Sequence, residues 1–363
     1  MARVYNFSAG PAVLPLEVLQ DAQKELVDYK GTGMSVMEMS HRGKDYDAIH
    51  QEAVATFKEL CGLGDDWSVV FVQGGASMQF AMIPMNFLAP GATADYVNSG
   101  TWGNKALKEA KKVAALRGAT VNVAADCQKD IPTRQPTVFS WTKGAAYAHI
   151  CTNETISGAE MKTIPEVEAP LIADMSSDIL SCERDYSKFS MFYAGAQKNL
   201  GPSGMAVVAI RNDFAEKGPE SLPTMLQYRT YTKENSLYNT PPTWGIYIFG
   251  ETMKWVKRMG KENLFKLNAE KAKKLYDVID SSEFWTPTAV KEFRSNMNVT
   301  WRIKGGDEEL EKKFIAEAKA AGMSSLKGHR SVGGLRASIY NAFPMAGVDA
   351  LVAFMKDFEK NNG

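Results

Sequence analysis

Short, nearly unbroken apolar runs recur through the first two-thirds of the chain, each stopped by glycine, proline or a polar residue. Residues 68–73 (SVVFVQ) form one such run; Gly74 and Gly75 end it, and residues 76–87 follow with helical character. Residues 93–98 read as another strand. Residues 105–117 (KALKEAKKVAALR) combine helical spacing, good helix formers and a stop at Gly118. Residues 147–151 (YAHIC), 170–173 (PLIA), 190–193 (SMFY) and 205–210 (MAVVAI) predict further strands. Strands that are apolar throughout and divided by helices are covered on both faces, which points to a buried, mostly parallel sheet. Residues 16–258 are therefore expected to form one large α/β domain.

Beyond a charged, helical stretch near 255–265, the pattern starts again on a smaller scale. Helix is expected over 263–279, strand over 298–303, helix over 308–321, strand over 335–339 and a closing helix over 348–359. This predicts a second, smaller α/β domain over 259–363, joined by residues 1–15.

Composition narrows the classes. The chain has 363 residues, 45% of them apolar, enough for a large core. Lys plus Arg equals Asp plus Glu, 42 against 42, so no net field draws the chain to nucleic acid or anionic lipid. The four cysteines form no CxxC pair and no zinc spacing, and no HExxH or acidic metal loop occurs, so no metal site is expected. Neither a secretory leader nor an apolar run near the ~18 residues of a membrane helix is seen, which predicts a cytoplasmic protein.

The chemistry concentrates at strand ends. Lys198 follows the apolar run at 190–193 and is hemmed by Gly195, Ala196 and Gly201. A lone lysine is ordinarily a solvated surface group. Small neighbours instead let a flat ligand approach the backbone, and a desolvated lysine loses its proton more readily and attacks carbonyls. Asp174 ends the run at 170–173, 24 residues before Lys198. Such an Asp often caps a helix. It also sits where α/β sheets hold ligands, and a carboxylate there would keep a pyridine nitrogen protonated and make the ring a better electron sink. Residues 73–78 (QGGASM) offer backbone amides at a helix start, suited to a phosphate. They match neither a Walker loop nor a dinucleotide fingerprint.

Together with NFSAGP at 6–11, SHRGK at 40–44, AGAQKN at 194–199, YNTPPT at 238–243, KGHR at 327–330 and RASIYN at 336–341, these pieces resemble the phosphoserine aminotransferases. Those enzymes use pyridoxal phosphate and belong to the aspartate-aminotransferase fold superfamily; the resemblance covers almost the whole chain. It implies a large domain built on a mostly parallel, seven-stranded type of sheet. By this resemblance Lys198 is the Schiff-base lysine and proton shuttle, and Asp174 the partner of the pyridine nitrogen. Trp102 would stack on the cofactor ring, although a core tryptophan would look the same in sequence. Thr155, with Ser176 close by, would lie near the phenolic oxygen. Ala76, Ser77 and Gln197 would hold the phosphate, with Asn239 and Thr240 reaching it from the neighbouring subunit of a homodimer. Arg336 would grip the substrate α-carboxylate, while His41, Arg42, His329 and Arg330 would surround its distal phosphate.

The implied reaction moves the amino group of glutamate to 3-phosphohydroxypyruvate, giving O-phosphoserine and 2-oxoglutarate in serine synthesis. Bacterial members also take a related four-carbon substrate on the route to pyridoxal phosphate. Two positions depart from some family members: Ala9 replaces a serine, and Ser77 replaces an arginine. A cysteine desulfurase would need a cysteine late in the chain, but the last is Cys182. A serine–glyoxylate-type transaminase would not need the second His-Arg pair, and a non-catalytic scaffold would not need Lys198 or Asp174.

Overall fold

The computed structural model describes residues 3–127 and 133–363. In chain order the elements that build the site are α1 (Leu16–Lys24), α2 (Lys44–Cys61), β1 (Trp67–Gln73), α3 (Gly75–Phe87), β2 (Thr93–Asn98), α4 (Thr101–Arg117) and β3 (Thr120–Asp126). They continue as β4 (Ala148–Cys151), β5 (Leu171–Asp174), β6 (Met191–Gly195), β7 (Met205–Arg211), α5 (Thr243–Met259) and α6 (Lys261–Ile279). The last are β8 (Trp285–Pro287), β9 (Asn298–Ile303), α7 (Glu308–Ala320), β10 (Leu335–Ser338) and α8 (Met345–Asn362).

The main sheet has seven strands in the order β1-β7-β6-β5-β4-β2-β3. Only β7 runs against its neighbours, β1 and β6; every other pairing is parallel. The apolar runs follow from coverage on both faces. Val69 and Phe71 pack with α2 and α5 through Ile49, Phe57 and Phe249. Val70 and Val72, one residue out of phase, pack with α3 and α4 through Phe80, Ile83 and Leu107. The parallel arrangement brings the carboxyl ends of six strands to one edge of the sheet, where ligands of α/β proteins bind.

Beyond Gly260, α6, α7 and α8 pack on an antiparallel sheet in the order β8-β9-β10. Phe7 belongs to this third core, and Tyr5–Asn6 pairs in parallel with Met323–Ser324. Among the described residues no helix is long and apolar enough to cross a membrane, and no group of three or more His, Cys, Asp or Glu is placed to hold a metal.

The pattern of apolar runs did not single out α1, α2, β3, α5 or β8. Strand β3 (TVNVAAD) lies at the sheet edge, where partial exposure admits Asn and Asp. Helix α5 begins with an uncharged stretch of aromatic and apolar residues (TWGIYIFG), and its charges, Glu251, Lys254, Lys257 and Arg258, appear only in its second half, so the first half does not read as a helix.

Candidate active site

A cavity of about 490 Å³ opens at the carboxyl ends of the parallel strands. Its floor comes from the main sheet and its far wall from residues 9–11, His329 and Arg336.

Lys198 lies in the turn after β6 and is only 8% exposed. Its Nζ donates to Thr155 Oγ1 at 2.6 Å and sits 5.4 Å from the centre of the Trp102 ring. Burial lowers the Lys198 pKa from the usual lysine value, and the negative charge of Asp174 opposes that shift without reversing it. An amine so placed is neutral over a wider pH range than a surface lysine, as a nucleophile and proton carrier needs.

Asp174 closes β5 and is buried. The Ser176 backbone N–H and hydroxyl both donate to its Oδ1, at 2.9 and 2.6 Å, and the Gly195 N–H donates to Ser176 Oγ at 3.0 Å. Burial raises the Asp174 pKa, while the Ser176 hydroxyl and Lys198 pull it down. Among the described residues both hydrogen bonds to this carboxylate fall on Oδ1, so Oδ2 can accept from a ligand.

Gly74 and Gly75, with φ of 90° and 63°, turn β1 into α3. A Cβ on Gly74 would stand 2.9 Å from that of Met78, so the turn requires glycine there. No side chain caps α3, so the amides around Ala76 and Ser77 face the cavity as a ready anion site. Gln197 lines the same cavity.

Glu154 is a site-building residue that the sequence did not single out. It is fully buried and accepts from Trp102 N at 3.0 Å, Gly103 N at 2.9 Å and Ser99 Oγ at 3.1 Å. It thereby anchors the first turn of α4, where a negative charge is favoured, and fixes the cavity-lining Trp102. The clue in the sequence is Gly100 beside Trp102: a Cβ there would lie 2.3 Å from Glu154 Cδ.

Arg336 reaches in from β10 and donates from Nη1 to the Thr155 carbonyl at 3.2 Å. Its Nε is buried without a protein partner, as is Trp102 Nε1. Burial lowers the Arg336 pKa, and no acid balances the guanidinium at ion-pair distance among the described residues. A buried cation lacking a counter-charge suits an anionic ligand. His329 lies beside it; its pKa is lowered by burial first and then by the charges of Arg336, Arg330 and Lys105.

Within one chain, the structure does not bring all the expected residues to this cavity. Arg330 is exposed next to His329 and does not line it. Arg42 is exposed and shares a separate shallow pocket with Lys233, Asn235 and Tyr238. His41 is buried beside Arg42, and neither it nor Asn239 and Thr240 line the cavity.

The shape and polarity of the cavity fit a flat, phosphate-bearing ring. Uncapped amides lie at one end, Asp174 at the other, Trp102 on a wall and Lys198 within. Sheet order and site together define a class of enzyme that works on amino groups through a buried lysine. The aminotransferase class-V family model matches residues 4–351. A phosphoserine aminotransferase of Desulfosudis oleivorans is 52% identical over 364 aligned positions, covering 99% of each chain. The solved structure of the phosphoserine aminotransferase from Bacillus circulans subsp. alkalophilus superposes with a TM-score of 0.96 at 51% identity, covering 99% of each chain. The pyridoxal-phosphate-bound phosphoserine aminotransferase of Trichomonas vaginalis superposes with a TM-score of 0.91 at 42% identity, covering 98% of this chain and 100% of that one. The chain belongs to the class-V aminotransferases and, within them, to the phosphoserine aminotransferase family.

Proposed function

We propose that this chain moves the amino group of glutamate to 3-phosphohydroxypyruvate, a step of serine synthesis, with pyridoxal phosphate as its cofactor. The observation that carries this reading is the buried Lys198, biased toward its neutral form, sharing one cavity with Asp174 and Arg336. When bound, pyridoxal phosphate supplies an electron sink for negative charge developing at the substrate α-carbon.

The residues divide the remaining work. Lys198 holds the cofactor and then carries the proton to and from the α-carbon. Asp174, positioned by Ser176, keeps the pyridine nitrogen protonated. Ala76, Ser77 and Gln197 take the cofactor phosphate, Trp102 covers the ring and Thr155 orients the amine. Arg336 grips the α-carboxylate, and His329 and Arg330 meet the distal phosphate.

The site is completed in a homodimer. Arg42 and Tyr238 share a pocket away from this cavity, and Asn239 Oδ1 is buried without a partner. Leu16, Leu19, Leu26, Val27, Met34 and Met37 are exposed within one short stretch, an apolar surface that a second copy would cover. Asn239 and Thr240 then reach the cofactor phosphate of the second copy, and His41 and Arg42 travel with them to its substrate. The segments 16–258 on one side and 1–15 with 259–363 on the other act as the two domains that frame the cavity.

The test is an absorption spectrum of the purified protein loaded with pyridoxal phosphate. A visible band that shifts with glutamate and with O-phosphoserine, but not with serine, is expected. A band that ignores O-phosphoserine would assign the fold to another transamination, and the absence of any band would remove the enzyme reading.

A further inference from the structure

A buried lattice of amides ties the turn after Lys198 to the turn after Arg336. Asn199, next to Lys198, accepts the Asn341 backbone N–H on Oδ1 at 3.0 Å and donates from Nδ2 to the Ile179 carbonyl at 3.1 Å. The Asn341 side chain donates to the Leu180 carbonyl at 2.9 Å and accepts from Asn268 Nδ2 at 2.9 Å. Asn268, on α6, also donates to the Ser181 carbonyl at 3.0 Å. Lys271, on the same helix, fixes the other side of the 339–343 turn by donating to the carbonyls of Ile339, Tyr340 and Phe343 at 3.0, 2.7 and 3.2 Å. All four side chains are buried, and none lines the active-site cavity.

This lattice has a consequence for catalysis. Arg336 lies on β10, which ends at Ser338, three residues before Asn341. Lys198 and Arg336 also meet through Thr155, but those contacts lie inside the cavity, where ligands compete for them. The amide lattice lies outside it, where a ligand in the cavity does not compete for its bonds. Its bonds are made in a low-dielectric interior, where leaving a donor or acceptor unpaired is costly, so the two turns move as one. Proton transfer at the α-carbon demands a fixed separation between the lysine and the group that holds the carboxylate, and a displacement near 1 Å costs on the order of a hundredfold in rate.

We propose that Asn341 and Asn199 are positioning residues: the Asn341 side chain pins its own turn to the Leu180 carbonyl and Asn268, Asn199 Oδ1 holds the backbone N–H of the same turn, and together they set the separation of Lys198 and Arg336 and thereby the grip on the substrate α-carboxylate. The proposal rests on the reading of Arg336 given above.

The test is a double-mutant cycle on the holoenzyme with Asn341→Ala, Asn199→Ala and Arg336→Lys. Succinate binding by calorimetry serves as a readout that involves no turnover. Asn341→Ala should lower kcat/KM about tenfold or more for glutamate and O-phosphoserine alike and weaken succinate binding, while the cofactor absorption band stays in place. Asn199→Ala, which keeps the Asn341 side-chain bonds, should repeat this pattern and stands in if Asn341→Ala fails to fold. Adding Arg336→Lys to either should cost no more than about twofold beyond Arg336→Lys alone. Losses that multiply in full, or unchanged succinate binding in both alanine variants, would assign Asn341 a role in folding only. If Arg336→Lys alone leaves KM and succinate binding untouched, the reading of Arg336 fails, and the proposal falls with it by a separate result.

Discussion

The Lys198 Nζ donates to the Thr155 hydroxyl at 2.6 Å, the one side-chain hydrogen bond of this amine among the described residues. An acceptor favours the charged form, so Thr155 works against the burial that lowers the Lys198 pKa. Thr155→Val keeps the shape and removes the acceptor. The pH profile of pyridoxal-phosphate incorporation into the apoprotein should then shift to lower pH. With the amine less well oriented, kcat should fall about three- to tenfold. A profile that stays in place would show that this bond does not govern the amine.

Asp174 carries a stability cost in the apoprotein. Burial raises its folded pKa above the unfolded value. Its contribution is therefore fully present below the unfolded pKa and is lost as pH rises through the folded pKa. At neutral pH the buried carboxylate opposes folding. Asp174→Asn keeps the acceptor for both Ser176 donors and removes the charge, so the melting temperature of the apoprotein should rise, roughly 2 °C for each kcal/mol relieved. Lys198, losing its negative neighbour, should shed its proton at lower pH. Activity of the loaded enzyme should fall on the order of a hundredfold or more, as when a preorganised charge is removed. Parallel melting and turnover measurements check this opposition; a fall in both would mean that Asp174 supports the fold.

The site was legible to the extent that its chemistry sits at strand ends. Lys198 and Asp174 stand out because an apolar run stops at each, and the run itself places them at the ligand edge of the sheet. Glu154 went unread because its partners lie more than fifty positions upstream, and only the fold brings the start of α4 to it. Lys271 sits in a helix rich in lysine and glutamate, where a solvated role is the natural reading; only its buried face and three carbonyl partners set it apart. His41 and Arg42 were read as cluster members with His329 and Arg330, and a single chain does not gather them.

Glu154 offers a test of how the cofactor wall is built. Glu154→Ala strips the acceptor from two buried amides and the Ser99 hydroxyl. Each unpaired group costs about 1–3 kcal/mol, with partial relief where the first turn of α4 re-forms around water. Stability should fall by about 2–4 kcal/mol in denaturant titration. With Trp102 released, cofactor affinity should weaken about tenfold or more by absorbance titration. Glu154→Gln, which retains one acceptor oxygen, should recover part of both. Full cofactor affinity in the alanine variant would show that Trp102 holds its place without the carboxylate.

His329 and Arg330 should govern selectivity for the phosphate. Burial, with help from Arg336, Arg330 and Lys105, holds the His329 pKa below its ordinary value. Arg330→Ala removes one of these charges, so His329 should stay protonated to higher pH. On the function proposed above, it also removes a contact to the phosphate. KM for O-phosphoserine should rise about ten- to a hundredfold while KM for glutamate changes little. The pH at which O-phosphoserine binding weakens on the alkaline side should move up. Equal losses for both substrates would place Arg330 in the service of the loop, not of the phosphate.

Subunit complementation addresses whether the site is shared. Lys198→Ala destroys the chemistry of the site in its own chain, whereas substitution of Asn239 and Thr240 by alanine should damage the site of the neighbouring chain. In a hybrid dimer of the two inactive variants, both lesions fall in one site and the other site is intact. Random reassortment makes about half of all dimers hybrid, each with one working site of two, so a refolded mixture should regain about one quarter of wild-type activity. Mixing Lys198→Ala with Asp174→Asn should behave differently, because both lesions belong to a chain's own site and every hybrid site stays impaired. If the Asn239/Thr240 variant recovers nothing with Lys198→Ala, those residues act within their own chain. The loop at Tyr238 and Thr240, where Tyr238 shares a pocket with Arg42 outside the cavity of its own chain, would then need another role.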